Sequence, residues 1–153
     1  MPLREFGGLS RVDLPLTVWG HVVLASDLLL VGNHSMALID LAGEFAQIEF
    51  MLPETFRLPV LRLCLVYCGV VNQAGMWITI DWDVGRGSQQ YNVHTGTVNR
   101  QITTVAGQID GLFMEAFIAP PFETNDQIGI RVTYNLGPPA SNVRIVGAYL
   151  RWA

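Results

Sequence analysis

The sequence has no lysine: its nine basic residues are all arginine, set against thirteen acidic ones for a net charge of −4. That balance disfavours a nucleic-acid partner, because phosphate binders carry a basic face. A surface without lysine fits burial against other protein better, since interface cores are enriched in arginine and depleted of lysine. Cysteine is scarce too, with only Cys64 and Cys68. On a strand these two would share a face about 13 Å apart. A disulfide needs Cα atoms within about 7 Å, so the pair is not expected to bridge. The histidines lie far from both cysteines in sequence, so no zinc spacing supports a metal site. The thiols read as small apolar side chains.

Charge of either sign is sparse, at 14% of the chain, where an ordinary soluble domain carries about 25%. Long apolar runs are missing as well. The longest near the start, residues 22–31, is broken by Ser26 and Asp27, whereas a spanning helix needs about 20 apolar residues. The loops are not polar enough for a transmembrane barrel, so no membrane is expected. The opening Met1-Pro2-Leu3-Arg4-Glu5 carries both signs of charge, with no apolar core or cleavage site behind it. No signal peptide is expected, which points to synthesis in a cytoplasm.

Apolar residues are what the chain has in surplus: 50% of 153 residues, with a mean hydropathy of +0.34. A chain near this length folds as one domain and buries roughly 70% of its unfolded surface. The remaining apolar area is expected to be covered by copies of the chain or by a larger particle. Residues 1–16 read as an extended arm: Pro2, Gly7, Gly8 and Pro15 break any regular pattern, yet the segment is too apolar for a free tail. Leu3, Phe6, Leu9 and Val12 are its candidate assembly anchors.

Residues 17–153 read as strands. The central stretch, residues 59–83, holds two runs with a period of two. Leu61, Leu63, Leu65 and Tyr67 alternate with Arg62, Cys64, Val66 and Cys68. Met76, Ile78, Ile80 and Trp82 alternate with Trp77, Thr79, Asp81 and Asp83. Asn72-Gln73-Ala74-Gly75 between them predicts an antiparallel hairpin. Further strands are expected over residues 17–24, 28–31, 36–41, 46–51, 101–106, 112–118, 127–134 and 143–152. The polar stretch 85–100 reads as a long loop. Only residues 36–50 approach a helical pattern, and Gly43 argues against it. The expectation is an all-β, single-domain β-sandwich or jelly roll of about eight antiparallel strands.

Several segments together resemble a known family. A Leu-Pro-x-x-Phe lead-in (Leu52, Pro53, Phe56) precedes the alternating strand 61–67. Gly75-Met76-Trp77-Ile78-Thr79-Ile80 follows, and then, beyond Pro120-Pro121, comes Asp126-Gln127-Ile128-Gly129-Ile130-Arg131-Val132. The chain closes on Val146-Gly147-Ala148-Tyr149-Leu150-Arg151-Trp152. The pattern, over residues 51–152, resembles the small jelly-roll proteins of tailed bacteriophages found as head-decoration (cement) proteins and as fibre or spike tips. The resemblance implies a virion structural protein on the capsid surface, a homotrimer bound to the major capsid protein. Its alternative is a fibre or spike tip that recognises a host glycan.

Chemistry-bearing motifs are few. Asp81-Trp82-Asp83 puts two carboxylates on one strand face, which a divalent cation would accept, but no nucleotide-binding pattern surrounds it. His21, His34 and His94 have no Gly-x-Ser-x-Gly elbow to serve. Gly85-Arg86-Gly87-Ser88 is not a phosphate loop. Glu115, between Phe113 and Phe117, lacks an identifiable partner acid. No catalytic residue, metal or cofactor is expected. Trp19, Trp77, Tyr91 and Trp152 are candidates for a sugar-stacking platform. The face bearing Trp77, Asp81 and Asp83, with Tyr91 and His94 in the polar loop, is the candidate glycan or partner contact.

Overall fold

The structure, a computed structural model, describes residues 16–52, 61–85, 94–114, 125–136 and 143–152. The arm anchors Leu3, Phe6, Leu9 and Val12 lie outside them, as do Tyr91 and Glu115. Among the described residues there are ten strands: β1 (Leu16–Ala25), β2 (Asp27–Val31), β3 (His34–Ile39), β4 (Phe45–Met51), β5 (Leu61–Gly69), β6 (Gln73–Gly85), β7 (His94–Thr104), β8 (Ile109–Met114), β9 (Gln127–Leu136) and β10 (Val143–Trp152). Among the described residues there is no helix, so none long and apolar enough to cross a membrane.

All strand pairs are antiparallel. In the first sheet β2 pairs β3, β3 and the start of β1 pair one edge of β10, β5 pairs the other, and β8 pairs β5. In the second sheet the end of β1 pairs β4, followed by β9, β6 and β7. Strand β1 serves both sheets through a bulge between Val22 and Leu24. It comes close to the opposite layer at Gly20, where a Cβ would stand 2.6 Å from the Phe50 ring. The β2–β3 hairpin turns through Gly32, whose backbone is left-handed (φ 59°), as a two-residue hairpin loop requires.

The period of two decides what is buried. Leu63, Leu65 and Tyr67 of β5 and Ala148 and Leu150 of β10 point inward from the first sheet. They meet Ile48, Met76, Ile78, Ile80, Ile130 and Val132 of the second in one cluster. At about 25 cal/mol per Å² of apolar area, this layer is the main source of stability. The Tyr67 hydroxyl donates to the Thr103 carbonyl (2.9 Å), tying the sheets together at one end. The result is an all-β sandwich of the jelly-roll type. The ten strands among the described residues correspond one for one to the alternating runs marked in the sequence, more than the total of about eight expected, and the polar segment from His94 lengthens the run 101–106 into β7.

Two expectations are corrected. The runs flanking residues 72–75 do not form a hairpin: β5 pairs β10 and β8, while β6 pairs β7 and β9. Leu63, Leu65 and Tyr67 in one run and Met76, Ile78 and Ile80 in the other are buried, and those rows face each other across the core instead of lying side by side in one layer. The polar stretch 85–100 is not wholly a loop, since His94–Thr104 is strand β7. Its portion before the expected run 101–106 escaped notice because the inward positions there include Gly96 and Arg100 in place of a run of large apolar residues. Cys64 and Cys68 share the outer face of β5, and both thiols are free and buried.

Candidate functional site

Inward alternation fixes what the outer face of the second sheet carries. With Met76, Ile78 and Ile80 in the core, β6 must present Trp77, Thr79, Asp81 and Asp83 outward. From Trp77 to Asp83 is six residues of strand, about 20 Å. Register then brings neighbours from other strands alongside. Gln47, Arg131, Asp81 and Thr97 form one row across β4, β9, β6 and β7, and Glu49, Gly129, Asp83 and Thr95 form the next. An open cleft of ≈ 530 Å³ lies over these rows, lined by Gln47, Asp81, Asp83, Thr95, Thr97 and Arg131 among others.

Three features set its geometry. Arg131 is held by its guanidinium lying 3.9 Å over the Phe45 ring, a cation–π contact that fixes a flexible donor. Gly129 leaves the middle of the second row bare, for a Cβ there would stand 2.9 Å from Asp83 Oδ1. Towards Trp77 the face continues as a hydrogen-bonded cluster. Thr79 Oγ1 donates to Asn99 Oδ1 (2.7 Å), and Asn135 Nδ2 donates to Thr79 Oγ1 and, at 3.5 Å, to Asn99 Oδ1. Trp77 stands at the end of the strip, 42% exposed.

Electrostatically the strip is acidic. Burial, and then the Glu49 charge across Gly129, push the Asp83 carboxyl above the ordinary 3.8. Desolvation and a like charge both disfavour the ionised form, so these two causes act in the same direction. Among the described residues no group of three or more His, Cys, Asp or Glu side chains is arranged to hold a metal ion. What the strip offers is a line of fixed donors and acceptors with an aromatic ring at one end.

Of the residues singled out from the sequence, Trp77, Asp81 and Asp83 do share this face. His94 belongs to β7, opposite Val84, and not to a loop. Trp19 does not join Trp77: it is on β1 opposite Tyr149, on the outer face of the other sheet. The supposed four-residue aromatic platform is therefore split between opposite sides of the sandwich. Gln47, Thr97, Asn99, Gly129, Arg131 and Asn135 were not singled out. Their signal was the polar half of the alternation in β4, β7 and β9, which marks a solvent face but not which strands adjoin.

No protein-family model matches this chain, and no curated protein sequence matches it. Solved structures do match in fold. The CBM36-1 domain of a multidomain xylanase from the hindgut metagenome of Trinervitermes trinervoides superposes with a TM-score of 0.51 at 10% identity, covering 92% of this chain and 98% of that one. A family two carbohydrate esterase from Cellvibrio japonicus gives a TM-score of 0.51 at 12% identity over 92% of this chain. This chain spans only 34% of the esterase's length. At such identities the likeness is one of fold, and it places this chain among jelly-roll β-sandwiches.

Proposed function

We propose that the chain is a non-catalytic binding module that takes a neutral oligosaccharide along the outer face of the second sheet. One observation carries the reading: an open cleft crosses four strands with Gln47, Asp81, Thr97 and Arg131 in one row, and exposed Trp77 stands about 13 Å further along the same face of β6. Sugar hydroxyls donate and accept at once, and amide, hydroxyl, carboxylate and guanidinium groups together offer both partners. The Trp77 ring supplies an apolar face for the C–H side of a pyranose. Three carboxylates (Glu49, Asp81, Asp83) against one arginine (Arg131) make the strip repel anionic sugars, so the expected ligand is uncharged. Xylan-derived oligosaccharides are the first probes to try, because the similar CBM36-1 domain belongs to a xylanase. The test is a glycan array with the full chain, Trp77→Ala and Asp81→Ala. Retention of a neutral glycan, weakened about tenfold or more by each substitution, supports the reading. Failure of every neutral glycan to bind overturns it.

A second reading is favoured by a different observation. Leu28 and Leu30 on β2 are 57% and 73% exposed, and Val23 and Leu24 on β1 are exposed as well. These apolar side chains support a structural role in an assembly: a homotrimeric capsid decoration protein seated on a major capsid protein at the virion surface. The two readings meet in a fibre or spike tip that is both assembled and glycan-binding. A mass measurement in solution tests the second one. A trimer supports it, and a monomer at every concentration counts against it.

A further inference from the structure

The opposite face of the sandwich carries a recess that the cleft reading leaves unused. On the outer side of the first sheet, Thr17, Trp19, Tyr149 and Arg151 line a hollow of ≈ 310 Å³ where β1 pairs β10. Trp19 is 40% exposed, yet its ring is positioned from three sides. Its Nε1–H donates to His21 Nδ1 at 3.1 Å. Tyr149 stacks beside it, with ring centroids 6.2 Å apart and planes 25° from parallel. Below it is Gly147, where a Cβ would stand 2.7 Å from Trp19 Cζ2. The ring thus lies down over the bare backbone of β10, where any larger residue would lift it off the sheet.

Beside this platform the register sets two like charges against each other. Arg151 of β10 pairs Arg62 of β5, and both belong to the outward-pointing set of their strands. Like charges directly opposite across a sheet are destabilising, and arginine presents a planar fork suited to carboxylate or sulfate oxygens. Arg151 lines the hollow with Trp19, and Arg62 lies one strand further across the sheet. An aromatic face beside arginine suits an anionic ring-shaped ligand, the ring for its C–H face and the arginine for its acidic group, and Thr17 adds a hydroxyl to the lining. The charge here is opposite in sign to that of the acidic cleft on the other sheet.

We propose that the Trp19–Tyr149 recess is a second binding site, for a pyranose sugar bearing an anionic group. Carboxylate and sulfate ester share the required chemistry. The experiment is isothermal titration of the full chain with three probes of equal ring number: an oligogalacturonate, a sulfated oligosaccharide and a neutral xylo-oligosaccharide. The acidic probe is expected to bind at low salt and to weaken as salt rises. Trp19→Ala and Arg151→Gln should each lower its affinity about tenfold, while Asp81→Asn in the distant cleft leaves it unchanged. Which acidic probe binds decides between carboxylate and sulfate. Arg62→Gln, at an exposed position, gives the same readout should Trp19→Ala disturb folding. The proposal is overturned if neither acidic probe binds, if binding survives the Trp19 and arginine substitutions, or if the neutral probe competes equally at this site. Loss of neutral-glycan binding in Asp81→Asn would concern only the cleft, so the two sites fail or stand separately.

Discussion

Asp83 shows how much a single side chain owes to its neighbours. Its carboxyl is raised above the ordinary value by burial and by Glu49, so the ionised form costs the folded state free energy. The cost is present above the raised folded pKa and disappears as pH falls below the unfolded value of 3.8. Asp83→Asn is therefore expected to raise Tm at neutral pH, with the gain shrinking to nothing in acid. Thermal melts of both proteins across pH check this, and a gain that persists unchanged in acid contradicts it. Gly129→Ala tests the bare spot beside Asp83. The carboxylate end can swing aside, so stability should change by less than about 1 kcal/mol, but the added methyl intrudes on the cleft and should weaken a bound glycan about tenfold. Gly147→Ala differs, because its Cβ would meet the Gly20 carbonyl oxygen at 2.7 Å as well as Trp19. Backbone cannot swing away, and urea denaturation should show a loss of about 1–3 kcal/mol. The strip along β6 was legible from sequence, since Trp77, Asp81 and Asp83 follow from alternation alone. Gln47 and Arg131 were not, because strand register brings them there from residues far along the chain.

At the scale of elements, burial on alternate residues was readable, but which strands adjoin was not. Ile48 and Phe50, Leu63 to Tyr67, Met76 to Ile80 and Ile128 to Tyr134 all point inward as their patterns require. The β5–β6 connection misled because Asn72-Gln73-Ala74-Gly75 has the composition of a hairpin turn. In fact β6 has already begun at Gln73, and Gly75 takes a left-handed backbone (φ 80°) within a bulged start of that strand. Local turn chemistry says that the chain bends. It does not say whether the next strand joins the same sheet or the facing one. The first part of strand β7, before the expected run 101–106, was hidden for a related reason: among the described residues it pairs β6 alone, and its polar residues, Thr97 and Asn99 among them, face solvent and the cleft. Ile80 sits fully buried between the layers on β6. Ile80→Ala should cost about 2–5 kcal/mol in urea denaturation, and a cost near zero would contradict the layer assignment. Strand β2 is an edge with exposed Leu28 and Leu30 and no lysine or proline to protect it. If assembly uses this edge, Leu30→Asp should shift the protein to smaller species by light scattering and leave the melt of the sandwich intact.

For the molecule as a whole, the excess of apolar residues seen in the composition has a visible location. Half the chain is apolar, the core absorbs one row from every long strand, and part of the rest is displayed on β1 and β2. The jelly roll separates two outer faces of unlike charge, an acidic cleft over β4, β9, β6 and β7 and an arginine-edged aromatic recess over β1 and β10. Fold class was within reach of the sequence because strand periodicity and turn residues are local signals. The faces were not, since each is assembled from strands that only the finished topology makes neighbours. The central claim, that the outer face of the second sheet holds a neutral glycan, is tested most directly by backbone amide chemical shifts. The full chain is titrated with the neutral oligosaccharide retained on the array. Shifts should concentrate at Gln47, Asp81, Asp83, Thr97 and Arg131 and spread towards Trp77, while β2, β3 and β8 stay silent. Shifts confined to the first sheet, or none at saturating sugar, would contradict the account.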